Sequence, residues 1–256
     1  MVKMAESLQS VCHIQGRPFA WRRDGWELGA AMLLPSFGSW MYFVLFAGHG
    51  SWPRLLYALT KGTQLILPVT WLVLGRRQKL SGPAWQIRSA TLGLLFGLAS
   101  VIVVWLLYYW LATQTEVLQD TPQRLQIKLP DFCISGFAEY SAMALFFSIL
   151  HAAFEEYYWR WFIFRQLCER WNWSYALIVS SLAFSLHHVI VIRAYLPSEC
   201  SRALPYLLAL RVAVDGAIWA WIYYHTSHII GACLAHMLAD LAIMGVGFDL
   251  LRGLWS

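Results

Sequence analysis

Hydrophobic positions in this chain gather into long unbroken blocks divided by short polar connections, without the one-faced or alternating patterns of water-soluble helices and strands. Leu28 to Gly48 carries no charged residue, and neither does Ser89 to Thr115. About 20 apolar residues in a helix cross a bilayer, so these blocks predict membrane spans. Further blocks run from Leu55 to Gly75, Phe137 to Phe164, Tyr175 to Ile192, Leu204 to Tyr224 and Ile229 to Leu250. Lys61 interrupts the second block and is read as lying near enough to one end to snorkel. Seven spans result, and the expected fold is an all-α, polytopic transmembrane helical bundle.

The connections are short, and no internal repeat or low-complexity tract divides them. The chain therefore reads as one integral-membrane domain over 1–256, with 1–25 as an N-terminal segment. The first apolar run begins after Trp26 and is too long for the core of a cleavable signal, so the first span is expected to remain in the mature protein. Arg17, Arg22 and Arg23 precede that span, and Arg76, Arg77, Lys79 and Arg88 lie between the second and third, whereas the loop from Gln114 to Asp131 is slightly acidic. The positive-inside rule then places the N-terminus and the second connection in the cytoplasm, with Arg165 and Arg170 fitting the same alternation.

Composition agrees with the pattern: 59% of residues are hydrophobic and 13% charged, against roughly 25% charged in an ordinary soluble domain. The net charge of +5 is accounted for by topology and anionic lipid, without a nucleic-acid partner. Trp159, Trp161, Trp171 and Trp173 suit interfacial belts. Cys12, Cys133, Cys168, Cys200 and Cys233 are scattered and never form a C-x-x-C pair, which speaks against a disulfide framework or a thiolate metal cluster.

Ionisable groups inside spans cost on the order of 2.5 to 3.5 kcal/mol each on insertion scales, so function is sought where they collect. The first three spans offer almost none and read as scaffold. The later ones carry Glu139, His151, Glu155, Glu156 and Arg160 on one helix, His187 and His188 on the next, Arg211 and Asp215 on the next, and His236 and Asp240 on the last. Helical spacing of four pairs Glu156 with Arg160, Arg211 with Asp215, and His236 with Asp240. His151 lies one turn before Glu155, yet Glu155 and His188 lack an obvious partner within their own helices. His187, about 100° around the helix from His188, is expected on a face away from the site.

Each pair taken singly can be structural, and Arg211 with Asp215 is read that way. Three helices that each bring acid or imidazole groups are harder to explain as bare scaffold. A carboxylate and an imidazole can together activate water. A second imidazole backed by a carboxylate can hold an N–H toward the oxyanion formed when water attacks an amide. The set suffices for peptide hydrolysis without a covalent intermediate. Neither a G-x-S-x-G elbow nor an H-E-x-x-H zinc motif occurs. A zinc-dependent version, a proton-coupled transporter and a non-catalytic membrane scaffold remain as alternatives. The transporter expects inverted repeats and broken helices, neither of which the sequence displays.

Glu155-Glu156-Tyr157-Tyr158-Trp159-Arg160 resembles the E-E-x-x-x-R motif of the CAAX-processing and bacteriocin-processing (CPBP, or Abi) intramembrane endopeptidases. Phe184 to His188 resembles their F-x-x-x-H motif, with Ser180 and Ser181 before it, and His236 to Asp240 their H-x-x-x-N/D motif. The three stand in order, each on its own expected span, and the resemblance covers about Ala138 to Leu250, the expected catalytic core 138–250. It implies a bundle of the CAAX prenyl endopeptidase type with seven or eight spans. It further implies Glu155 as general base, His188 as the group that polarises water, and His236 with Asp240 as the oxyanion site. Glu156 and Arg160 would orient Glu155, with no metal and no cofactor. Asp240 departs from the Asn of the eukaryotic members; an ionised Asp cannot donate, so it is read as fixing the tautomer of His236 or keeping it protonated. The expected substrate is a membrane-associated protein or peptide, and the expected location a bacterial cytoplasmic membrane.

Overall fold

A computed structural model describes residues 25–47, 52–75, 86–196 and 203–255. Arg17, Arg22, Arg23, Arg76, Arg77 and Lys79, on which the orientation argument leans, lie outside the described residues, as do Cys12 and Cys200. Helices α1 (Gly25–Leu45), α3 (Ile87–Gln114), α5 (Phe137–Cys168), α6 (Trp173–Tyr195), α7 (Leu204–Thr226) and α8 (Ile230–Leu251) are long and apolar enough to cross a membrane. Helix α2 (Trp52–Val69, continued by a π-helical turn at Thr70–Gly75) is the remaining expected span. It falls short of the other six because Arg54, Lys61 and Gln64 dilute its apolar residues. The short α4 (Thr121–Lys128) bridges α3 and α5. The protein is an all-α, polytopic membrane protein, and no strand occurs among the described residues.

Local chemistry sets the helix ends. Asn172 caps α6, its side-chain oxygen accepting from the Tyr175 N–H at 3.1 Å, which satisfies one of the otherwise orphaned first-turn donors. Pro122 and Pro205 sit in the first turns of α4 and α7, where the missing N–H costs nothing. Helix α7 stops at Ser227, which takes the left-handed conformation at φ 59°, and its N–H returns to the Tyr223 carbonyl at 2.8 Å. That reversal turns the chain straight into α8.

Helices in lipid gain little from hydrophobic segregation, so close approach of small residues supplies the packing. Helix α3 meets α8 through such a seam. A Cβ on Gly93 would stand 2.3 Å from the Gly231 carbonyl oxygen, and one on Gly97 2.6 Å from a Leu238 methyl. The Ser89 hydroxyl stitches the same seam, donating to the His228 carbonyl and accepting from the Gly231 N–H, both at 3.0 Å. The opposite flank of α3, with Leu94, Leu95, Leu98 and Ile102, is exposed, as a lipid-facing surface must be.

Helix α5 is the centre of the bundle. Tyr158, Trp159, Phe162, Ile163 and Phe164 are buried against Leu28 and Ala31 of α1, Ala176 and Phe184 of α6, Trp219 to Tyr223 of α7 and the alanines of α8. The Tyr158 hydroxyl donates to the Ala31 carbonyl at 2.7 Å. Along α5 the α-helical turn Ala152–Glu156 lies between two π-helical stretches, Phe146–His151 and Tyr157–Phe164. Such widened turns recur at functional sites. Here they bracket the turn that carries Glu155 and Glu156.

Candidate active site

Adjacent residues on a helix point about 100° apart, so Glu155 and Glu156 reach different neighbours and organise two adjoining polar clusters. Both carboxylates are buried, at 2% and 0% exposure.

Glu156 heads the better-bonded cluster. Its Oε1 accepts from Arg160 Nη1 and from His236 Nδ1, each at 2.8 Å. Arg160 also donates through Nη2 to the Gly216 carbonyl at 2.9 Å, and its guanidinium covers the rings of Phe184 and Trp219 at 4.5 and 5.1 Å. Gly216 leaves room for this contact, since a Cβ there would lie 2.9 Å from Arg160 Nη2 and displace it. His236 stacks on Trp219 with centroids 4.1 Å apart, and its Nε2 lies 3.6 Å from Asp240 Oδ2. Its imidazole thus has a carboxylate at each nitrogen.

Glu155 heads the second cluster. His187 Nε2 lies 3.5 Å from its Oε1, His151 Nε2 3.4 Å and Lys61 Nζ 3.3 Å. Its other oxygen, Oε2, is buried with no hydrogen-bond partner among the described residues. His188 Nδ1 lies 3.1 Å from the Phe184 carbonyl; a carbonyl only accepts, so Nδ1 carries the proton and Nε2 presents its lone pair. The Phe184 ring, 4.8 Å from His188 and 5.9 Å from His236, borders both clusters.

The three expected spacing pairs all form, Arg211 and Asp215 at 2.7 Å. Asp215 also accepts from Ser100 of α3 at 3.2 Å, so that pair ties α7 to α3. Glu139 is exposed in the first turn of α5, outside both clusters. Three expectations need correction. His187 does not face away: Glu155 Oε1 is within reach of its ring, and the two imidazoles stand with centroids 4.0 Å apart. Glu155 is not without partners, since His151 on its own helix and Lys61 both reach it. Lys61 does not snorkel outward, so α2 brings a charged group to this cluster. The Glu156–His236 contact, 80 positions apart in sequence, had no local signal at all.

Glu155, His187 and His188 each offer a ligand atom, all within 4.8 Å of one another, and could hold a metal ion. The fit is poor on charge. Lys61 already places an ammonium 3.3 Å from Oε1 of the same carboxylate, and a metal ion bound by that carboxylate would meet its repulsion in a medium of low dielectric.

Residues 137–242 match the family model for type II CAAX prenyl endopeptidase, Rce1-like. No curated protein and no solved structure matches the chain. The likeness read from the three motifs is borne out by this match, which begins with α5 and runs into α8. It supports a CAAX-type intramembrane protease, a peptidase, in general terms.

Proposed function

We propose that the protein is an intramembrane endopeptidase that hydrolyses a peptide bond in a membrane-associated protein or peptide, with water as the nucleophile and no covalent intermediate. The observation that carries this reading is the split of two neighbouring buried carboxylates between two imidazole clusters, one suited to water and one to an oxyanion. Glu155 Oε2, free of partners, takes a proton from water as the water oxygen attacks the carbonyl carbon. His188 Nε2 accepts the water's other hydrogen and fixes the attack direction. The carbonyl oxygen becomes an oxyanion, which His236 stabilises through Nε2–H. The C–N bond then breaks, the proton held by Glu155 goes to the leaving amine, and the new carboxylic acid gives its remaining proton to that amine to become a carboxylate. Glu156, itself held by Arg160, fixes His236 by Nδ1, so that in its doubly protonated form Nε2 donates.

A comparison of protein termini in membranes containing wild-type or Glu155→Ala protein tests this reading and names the substrate. New termini that vanish with the variant are the expected result. The prenylated C-terminal tails suggested by the matched family are a first class to inspect. Identical termini in the two membranes would overturn the reading.

Within the oxyanion cluster, His236→Ala is expected to lower kcat by about 10² to 10³, the usual scale for one oxyanion donor. Asp240→Asn keeps an acceptor for His236 and gains a donor, so it should retain much of the activity, whereas Asp240→Leu should not. Equal losses for Asn and Leu in a kinetic assay would remove Asp240 from this role.

The ligand-like grouping of Glu155, His187 and His188 favours one second reading, zinc hydrolysis. With Lys61 in place we expect chelation to leave activity intact and elemental analysis to find no stoichiometric zinc. Zinc lost in step with activity would transfer the mechanism to the metal.

A further inference from the structure

Lys61 belongs to α2, outside the segment that matches the protease family, yet it reaches Glu155. It lies about 14 Å along its helix from Trp52 at 1.5 Å per residue, near the middle of the helical stretch that ends at Gly75. Snorkelling would carry the ammonium to the nearer interface. It turns inward instead, between the rings of Tyr57 and Phe154 at 5.6 and 5.7 Å, and stands 3.3 Å from both Glu155 Oε1 and His151 Nε2.

All three groups around Glu155, namely Lys61, His151 and His187, approach the same oxygen. We infer that Lys61, together with His151, is a positioning residue that clamps Oε1 of Glu155 so that Oε2 faces the attacking water. The inference rests on the endopeptidase reading. A carboxylate in a span has few ways to be immobilised, because its neighbours are mostly hydrocarbon. Without the clamp the Glu155 side chain rotates about its last torsion, which is broad and roughly two-fold, and the base spends time misaligned. A misplacement of about 1 Å in a reacting group costs on the order of 10² in rate. Lys61 and His151 also have side chains 20% and 22% exposed, while Glu155 is at 2%. They form the rim of the cluster and hold the buried base from its open side.

The test is steady-state kinetics of the purified full-length protein on a peptide spanning the cleavage site that the comparison of termini names, for wild type, K61M, K61R and E155Q, with thermal stability measured in parallel. The expected result for K61M is a kcat lower by about 10- to 10²-fold, with KM and melting temperature close to wild type. K61R is expected to recover most of kcat, since it keeps a cation within reach. A KM rise at unchanged kcat would make Lys61 a substrate contact and overturn the inference. Wild-type kcat in K61M beside a dead E155Q overturns the role of Lys61 alone, whereas cleavage by E155Q overturns the endopeptidase reading and the inference with it. If K61M does not fold, K61Q replaces it, and wild-type kcat there overturns the inference equally.

Discussion

Glu155→Gln is expected to reduce peptide hydrolysis to background while the protein still inserts and folds. The amide has the size and shape of the carboxylate and can still accept from Lys61 through its oxygen, so the cluster around Oε1 survives. What it cannot do is take a proton at the second position, where an NH₂ replaces the free Oε2. General-base catalysis alone is worth about 10² to 10⁴ in rate, and the donor NH₂ would also repel the water hydrogens, so the loss should lie at or beyond the upper end. Cleavage of the substrate by purified protein, with melting temperature as the control for folding, is the measurement. A folded variant that retains a tenth of the activity would dismiss Glu155 as the base.

The second large effect is on stability. Arg160→Ala removes the guanidinium that meets Glu156 at 2.8 Å and the Gly216 carbonyl at 2.9 Å, at a position 2% exposed. Breaking a buried pair by deleting one partner costs about 3 to 5 kcal/mol, because the other charge stays buried and uncompensated. Folded domains are stable by only about 5 to 15 kcal/mol. The yield of folded protein should therefore fall sharply, with activity lost as a consequence. Removing both charges with Glu156→Leu and Arg160→Met should restore yield but not activity, since His236 then loses its acceptor. Normal yield for Arg160→Ala would show that the pair is not structural.

Most of the fold was legible because the bilayer imposes a length on every crossing helix. The blocks beginning at Leu28, Ser89, Tyr175, Leu204 and Ile229 fall on helices with ends within a few residues. Pairs four residues apart were equally legible, because one helix fixes their geometry by itself. What spacing cannot give is the direction in which two helices face each other. His187 and His188 point 100° apart on any helical wheel, but Glu155 sits in the wedge between them, so both border it. Lys61 could have snorkelled, and only the placement of α2 beside α5 decides that it turns inward. The π-helical stretches that bracket Glu155 and Glu156 carry no residue signature of their own. They change the number of residues per turn, and with it the faces that His151 and Arg160 occupy.

Direct attack by water is the centre of this account, and one experiment reaches it most closely. Purified protein in molar excess is mixed with its substrate in H₂¹⁸O, quenched across a single turnover, and the masses of product and protein are followed together. One ¹⁸O in the new carboxylate and a protein mass constant through the turnover are expected. A peptidyl adduct on the protein, rising and falling as product forms, would contradict direct attack by water.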